Sequence, residues 1–147
     1  MIIRVDDEVD ASICDNLLTK LIQDEKKYND YIDDNFVVKD YFKNVIKDEK
    51  NILLCYKEDE IIKGYIYLKN INEDNKSGYL IDGLYVLEEY RNNGIAKELI
   101  NSSLSILKSK NINFIDVNTM YKNKEANNLY KSFGFNEFKV SYRMNLE

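Results

Sequence analysis

The chain contains no histidine, proline or tryptophan, and only two cysteines and five glycines in 147 residues. Without histidine, imidazole catalysis and His-ligated metal sites are excluded, and proton transfer falls to carboxylates, tyrosine, lysine, cysteine or water. Cys14 and Cys55 have neither metal-ligand nor redox spacing, which predicts two small buried hydrophobes, and no metal is expected. The missing proline, beside abundant Asn, Lys, Ile and Tyr, is a compositional bias with no chemistry of its own. No apolar run approaches the roughly 18 residues of a membrane span. Met1–Val5 is followed by acids where a secretory leader would place a basic and then an apolar segment, so a cytoplasmic protein with no membrane partner is expected. A basic excess is also lacking: 21 Lys and Arg stand against 26 Asp and Glu, a formal charge of −5. Neutralising phosphates needs a basic face, so no nucleic-acid partner is expected, and a cationic substrate fits better.

What is present is a soluble globular composition, 44% hydrophobic and 32% charged. A chain of this length buries roughly 68–70% of its unfolded surface, and a single domain over residues 1–147 is expected. Ile2–Val5 reads as a strand, followed by Val9, Ile13, Leu17, Leu18, Leu21 and Ile22 at helical spacing. After a polar stretch from Asp24 to Asn35, Tyr41, Phe42, Val45 and Ile46 predict a second helix over Asp40–Asp48. Ile52–Lys57, Ile61–Lys69 and Gly78–Leu87 read as three successive antiparallel strands, separated by the polar turns 58–60 and 70–77. From Gly94 the period becomes helical, with Ile95, Leu99, Ser103 and Leu107 in line, ending near Lys108–Asn111. Phe114, Ile115 and Val117 give a short strand. Ala126, Leu129, Tyr130 and Phe133 then mark one helix face, with Gly134 as its stop. Phe138, Val140, Tyr142, Met144 and Leu146 alternate with polar residues and predict a final strand. The order predicts a mixed α/β fold, a mainly antiparallel central sheet flanked by helices.

The informative unit is the strand Leu84-Tyr85-Val86 leading through Arg91-Asn92-Asn93-Gly94-Ile95-Ala96 into a helix. A helix start exposes unpaired N–H groups and about half a positive charge, and Gly94 admits close approach of a phosphate where a Cβ would intrude. Alone, such a run also fits an ordinary strand-to-helix turn.

Arg91 to Ala96 resembles the coenzyme A loop of the GCN5-related N-acetyltransferases: Arg or Gln, two residues, Gly, any residue, then Gly or Ala. Asn123-Lys124-Glu125-Ala126-Asn127-Asn128-Leu129-Tyr130-Lys131-Ser132-Phe133-Gly134-Phe135 resembles a second signature of that family, Asn-x-x-Ala-x-x-Leu-Tyr-x-x-x-Gly-Phe. The resemblance is specific over Leu84–Phe135. It implies an acyl-CoA N-acyltransferase fold, acetyl-CoA as donor with CoA as product, and a small-molecule or peptide amine as acceptor. It further implies that Tyr85 and Val86 line the pantetheine arm through their backbone, that Arg91, Asn92, Asn93, Gly94, Ile95, Ala96 and Lys97 surround the pyrophosphate, that Asn123 touches the cofactor, and that Tyr130 protonates the departing thiolate.

Tyr130 can be argued from chemistry as well: a phenol of pKa near 10 stays protonated at neutral pH and can donate to a developing thiolate. The same residue also fits a core tyrosine in line with Ala126 and Phe133. For the base, strand alternation puts Asp82 on the face of Leu84 and Val86, unless a bulge intervenes; a solvated edge carboxylate is the competing reading. Some family members carry a basic Glu where Asn118 stands here, which leaves the base open and admits an alternative, a catalytically weak acyl-CoA-binding module. Tyr28, Tyr31, Phe36, Tyr41 and Phe42, interspersed with Asp24, Asp30, Asp33 and Asp34, would suit an amine rim. Exposed sheet edges leave room for a homodimer.

Overall fold

A computed structural model of the chain describes residues 1–147. Five strands, β1 (Ile2–Arg4), β2 (Ile52–Glu58), β3 (Ile61–Glu73), β4 (Lys76–Val86) and β5 (Phe114–Val117), form one sheet in the order β1-β2-β3-β4-β5. Four helices accompany it: α1 (Glu8–Asp24), α2 (Phe42–Val45), α3 (Ile95–Lys108) and α4 (Lys124–Ser132). All neighbours are antiparallel except β4 and β5, which the α3 crossover makes parallel. This is the mixed α/β architecture that the sequence predicts.

Strand alternation sorts the core into two layers. Ile52, Leu54, Ile66, Leu68, Tyr79 and Ile81 face Leu99, Ile100 and Leu107 of α3, together with Tyr130 of α4. Leu53, Cys55, Tyr65, Tyr67 and Tyr85 face Ala11, Cys14 and Leu17 of α1 and Phe42 of α2. Each fully buried Leu or Ile here contributes roughly 1.5–3 kcal/mol relative to exposure. Both cysteines are free and buried in the α1 layer, as expected of small hydrophobes, and burial pushes both thiols up, Cys55 to about 11. No helix is long and apolar enough to cross a membrane.

Two details shape the site. Pairing of β3 with β4 runs Tyr67↔Gly83 and then Leu68↔Ile81, so Asp82 is an extra, unpaired bulge residue. On its other edge β4 pairs with β5 only from Gly78↔Phe114 to Ile81↔Val117, so β4 runs on to Val86 with that edge open. The register is held by Gly78, where a Cβ would fall 2.1 Å from the Phe114 ring that lies across it.

The structure corrects two expected elements. The predicted helix over 40–48 shrinks to α2, a single turn, because polar side chains compete for its backbone. Asn44 Nδ2 donates to Asp40 O at 2.7 Å, Asp48 Oδ1 accepts from Lys50 N at 3.0 Å, and Asp40 itself has φ 56°. The strand predicted over 138–146 forms no ladder: no backbone hydrogen bond reaches residues 136–147. Alternation makes a segment competent to be a strand, but a partner edge is needed to make it one.

Candidate active site

The loop between β4 and α3 is built to leave its amides free. Gly94 is the N-cap of α3 at φ 79°, no side chain caps the helix, and nothing lies within 4 Å of where a Cβ on Gly94 would be. The first intrahelical bond is Glu98 N to Gly94 O at 3.0 Å, and the backbone N–H groups of residues 92–97 have no acceptor in the chain. Six consecutive unpaired donors at a helix start concentrate positive potential over an open space. Asn92 adds a second left-handed residue at φ 65°. The side chains are employed elsewhere. Arg91 folds back, its Nε donating to Val86 O at 2.8 Å and its guanidinium lying 5.0 Å from the Tyr85 ring centroid. Asn93 Nδ2 donates to Tyr90 O at 3.1 Å, Ile95 is buried, Ala96 is half-buried and Lys97 is exposed.

Leu87 N donates to Lys63 O at 2.9 Å, toward β3. Alternation therefore turns the N–H groups of Val86 and Leu84 to the opposite edge, where β5 has ended. A strand edge with unpaired donors thus connects the 92–97 loop to a cleft of about 760 Å³. Its walls are Leu18, Leu21 and Glu25 at the end of α1, Phe36–Lys39, Tyr41 and Tyr67, the bulge at Ile81–Leu84, the stretch Val117–Met120 after β5, and Asn123, Ala126 and Tyr130 of α4.

A model of the Acetyltransferase (GNAT) family matches residues 16–135. The chain belongs to this family. Members of the GNAT family are acetyltransferases that use acetyl-CoA. Over 85 residues the chain is 30% identical to N-alpha-acetyltransferase 30 of Schizosaccharomyces pombe, a match covering 58% of this chain and 57% of that relative's length. A variant of the BH1408 protein from Bacillus halodurans has the same fold, with TM-score 0.82, 19% identity and coverage of 100% and 99% of the two chains. The aminoglycoside N-acetyltransferase AAC(6')-Iy in complex with CoA also shares it, with TM-score 0.74, 15% identity and 99% coverage of both chains.

Within this GNAT fold, Asp82, Asn123 and Tyr130 meet around the cleft, whereas Arg91–Lys97 and Tyr85–Val86 lie outside its lining, along the strand edge and loop that lead to it. Tyr130 is buried, its ring packs edge-on against Phe135 at 5.7 Å, and its hydroxyl has no partner in the chain. Burial pushes the phenol up to about 12. Asn123 is the N-cap of α4, its Oδ1 accepting from Ala126 N at 3.1 Å, so it fixes the helix that carries Tyr130.

The facing expected for Asp82 is corrected. The bulge slips the alternation, so Ile81 and then Leu84 and Val86 pack on the α3 side while Asp82 turns to the α1 side, near Tyr41, Tyr65 and Tyr67. Partial burial raises its carboxyl above the ordinary range, against a lowering by Lys69.

Of the expected amine rim, Phe36, Tyr41 and Phe42 line the cleft; Asp33 and Asp34 do not, Asp34 pairing instead with Lys26. The acid that sequence reasoning missed is Glu25, half-buried in the cleft wall with its carboxyl raised by burial. Its signal was the continuation of the apolar line Leu18, Leu21, Ile22 by an acidic residue at helical spacing.

Proposed function

We propose that this chain is an N-acetyltransferase that moves the acetyl group of acetyl-CoA to a primary amine by direct attack. The observation that supports this best is the row of six acceptor-free amides at residues 92–97, one strand edge away from the unpartnered Tyr130 hydroxyl. The donor set fits a diphosphate: it is backbone N–H around Gly94, with open space where a Cβ would project. Residues 92–97 hold the pyrophosphate and the edge at Leu84–Val86 receives the pantetheine arm.

Arg91 is a brace. Its side chain bonds Val86 O and pairs with Asp24 at 3.7 Å, fixing the loop against β4, and it adds a positive charge beside the phosphates. The Val86 N–H polarises the thioester carbonyl. The acceptor nitrogen attacks the acetyl carbon, the C–S bond breaks, and Tyr130 gives its proton to the sulfur. The proton lost by the amine passes to Asp82, directly or through water, and solvent restores the phenol. A phenol held near 12 remains protonated across the working range, as an acid must.

Glu25 and Asp82 place two carboxylates on the cleft walls, which suits a cationic acceptor. With Asn118 where some relatives carry a base, and a carboxylate as the remaining acceptor of the proton, an amine that deprotonates readily is favoured. A peptide α-amine, of pKa about 7.7–8.0, meets that requirement better than a lysine side chain near 10.4. The name of the fission-yeast relative, an N-alpha-acetyltransferase, points the same way.

The test is thiol release from acetyl-CoA across a panel of peptides with free N-termini, α-blocked lysine peptides, polyamines and aminoglycosides. Release with free N-terminal peptides and little with the α-blocked series is expected. CoA affinity without release for any amine would instead establish a binding module.

A further inference from the structure

One wall of the cleft is not held by backbone pairing. Residues 37–40 make no backbone–backbone hydrogen bond, and Phe36, Val37, Lys39 and Tyr41 are exposed. Side chains of α1 hold this stretch instead. Gln23 Nε2 donates to Phe36 O at 3.0 Å, Thr19 Oγ1 accepts from Val38 N at 2.9 Å, and Asp15 Oδ1 accepts from Phe42 N at 3.0 Å.

The three side chains stand four residues apart and so form one line along the helix. Four helical residues rise about 6 Å, close to the length of two extended residues, and the chain from Phe36 to Val38 makes that step antiparallel to α1. From Val38 to Phe42 four residues cover the same rise, and the slack falls at Asp40, whose φ is 56°. Polarity matches at each rung. The one proton of the Thr19 hydroxyl goes to Asp15 O at 2.9 Å, a turn back, which leaves the oxygen to accept from Val38. Phe42 is fully buried and anchors one end of the stretch. Toward Phe36 burial falls away, and the polar rungs carry more of the hold. The helix is itself tied to the strand edge of β4: Asp24, next to Gln23, accepts from the Tyr85 hydroxyl at 3.3 Å and pairs with Arg91 at 3.7 Å. One rigid helix therefore sets the distance between that edge and the wall.

We propose that Thr19 and Gln23 are positioning residues for the acceptor amine, an inference that rests on the acetyl-transfer reading above. Neither side chain lines the cleft that holds Tyr130 and Asp82, so each acts through the main chain it grips. By fixing Phe36–Tyr41 against α1 they set the width of the acceptor's space, and with it the affinity for the amine, while the amides of residues 92–97 are untouched. Losing one rung releases the wall by the net worth of a hydrogen bond, a factor of about 2–12.

The experiment uses the full chain and a short peptide with a free N-terminus. It measures the peptide's KM and kcat, its dissociation constant from the CoA-loaded protein, CoA affinity, and exchange of the Val38 amide. Thr19→Val keeps the shape and removes the oxygen, Thr19→Ser keeps the oxygen, and Gln23→Ala removes a donor whose bond lies exposed, so the fold tolerates its loss. In Thr19→Val and Gln23→Ala the peptide's KM and dissociation constant should each rise about 2–12-fold, with CoA affinity unchanged. Val38 exchange should quicken in Thr19→Val, and Thr19→Ser should restore native values throughout. Faster Val38 exchange with unmoved peptide constants would overturn the proposal, since the wall would then be loose without consequence. So would a parallel fall in kcat, CoA affinity and melting temperature, or a Thr19→Ser variant no better than Thr19→Val. Peptide binding without thiol release in the native protein would contradict the transferase reading alone, and the variants' dissociation constants would still decide the proposal. A native chain that neither binds nor acetylates the peptide would overturn both.

Discussion

Along residues 92–97 the donors are all main-chain amides, and the side chains bond the preceding turn, enter the core or face solvent. In the cleft the proposed chemistry resides in side chains: a phenol and a capping amide on α4, and two carboxylates, one from the bulge of β4 and one from the end of α1. The first region tolerates sequence change wherever the backbone path survives; the second depends on particular functional groups. Their responses to substitution should therefore separate cleanly, binding in one and turnover in the other.

The largest effect is expected at Tyr130. Replacing it by Phe keeps the ring and its packing on Phe135 and removes only the proton donor, so kcat should fall about 10²–10⁴-fold with CoA affinity unchanged. Next comes Gly94→Val, which forces a β-branched residue into φ 79° at a cost of roughly 1–2 kcal/mol and places a side chain where the phosphate would approach. CoA affinity measured calorimetrically should weaken about tenfold or more, while turnover at saturating donor changes little. Asn93→Ala and Lys97→Ala should move the same constant far less.

Asp82 should reveal itself through pH. If it accepts the proton, Asp82→Asn removes the acidic limb of kcat/KM. The stability effect has the opposite benefit. A carboxyl raised in the folded state contributes stability that is full below its unfolded pKa and lost as pH rises through the folded value, so the charged form is a burden at neutrality. The Asn variant should melt slightly higher than the native protein near pH 7, and the gain should vanish below the ordinary Asp range. The smallest effect is expected for Asn123→Ala. Loss of the cap on Ala126 N should cost about 1 kcal/mol, lowering Tm by roughly 2–4 °C and kcat only modestly, through the position of Tyr130.

The same contrast explains what could be read from the sequence. The proposed anion site is built from backbone and leaves a compact local signature, since Gly94 is needed where the chain turns left-handed and the helical period of Ile95, Leu99 and Leu107 follows at once. Hydrophobic periodicity gave α1, α3, α4 and the first five strands for the same local reason. The cleft is assembled across distant segments, and its details follow tertiary events. The bulge at Asp82 reversed the carboxylate's facing, a one-residue slip that no pattern of apolar residues in β4 announces. Glu25 entered the site because α1 continues past Asp24 in a 3-10 turn, and Asp34 left it for Lys26. The 138–146 segment has the right periodicity, but pairing depends on an edge the sequence does not name.

The most direct test of the amide cradle is calorimetric titration with CoA and, separately, with pantetheine, which lacks the nucleotide and its diphosphate, while backbone amide resonances are followed by NMR. CoA should bind much more tightly than pantetheine and shift the amides of residues 92–97 most. Equal affinity for the two ligands, or CoA-induced shifts confined to other parts of the chain, would contradict the account.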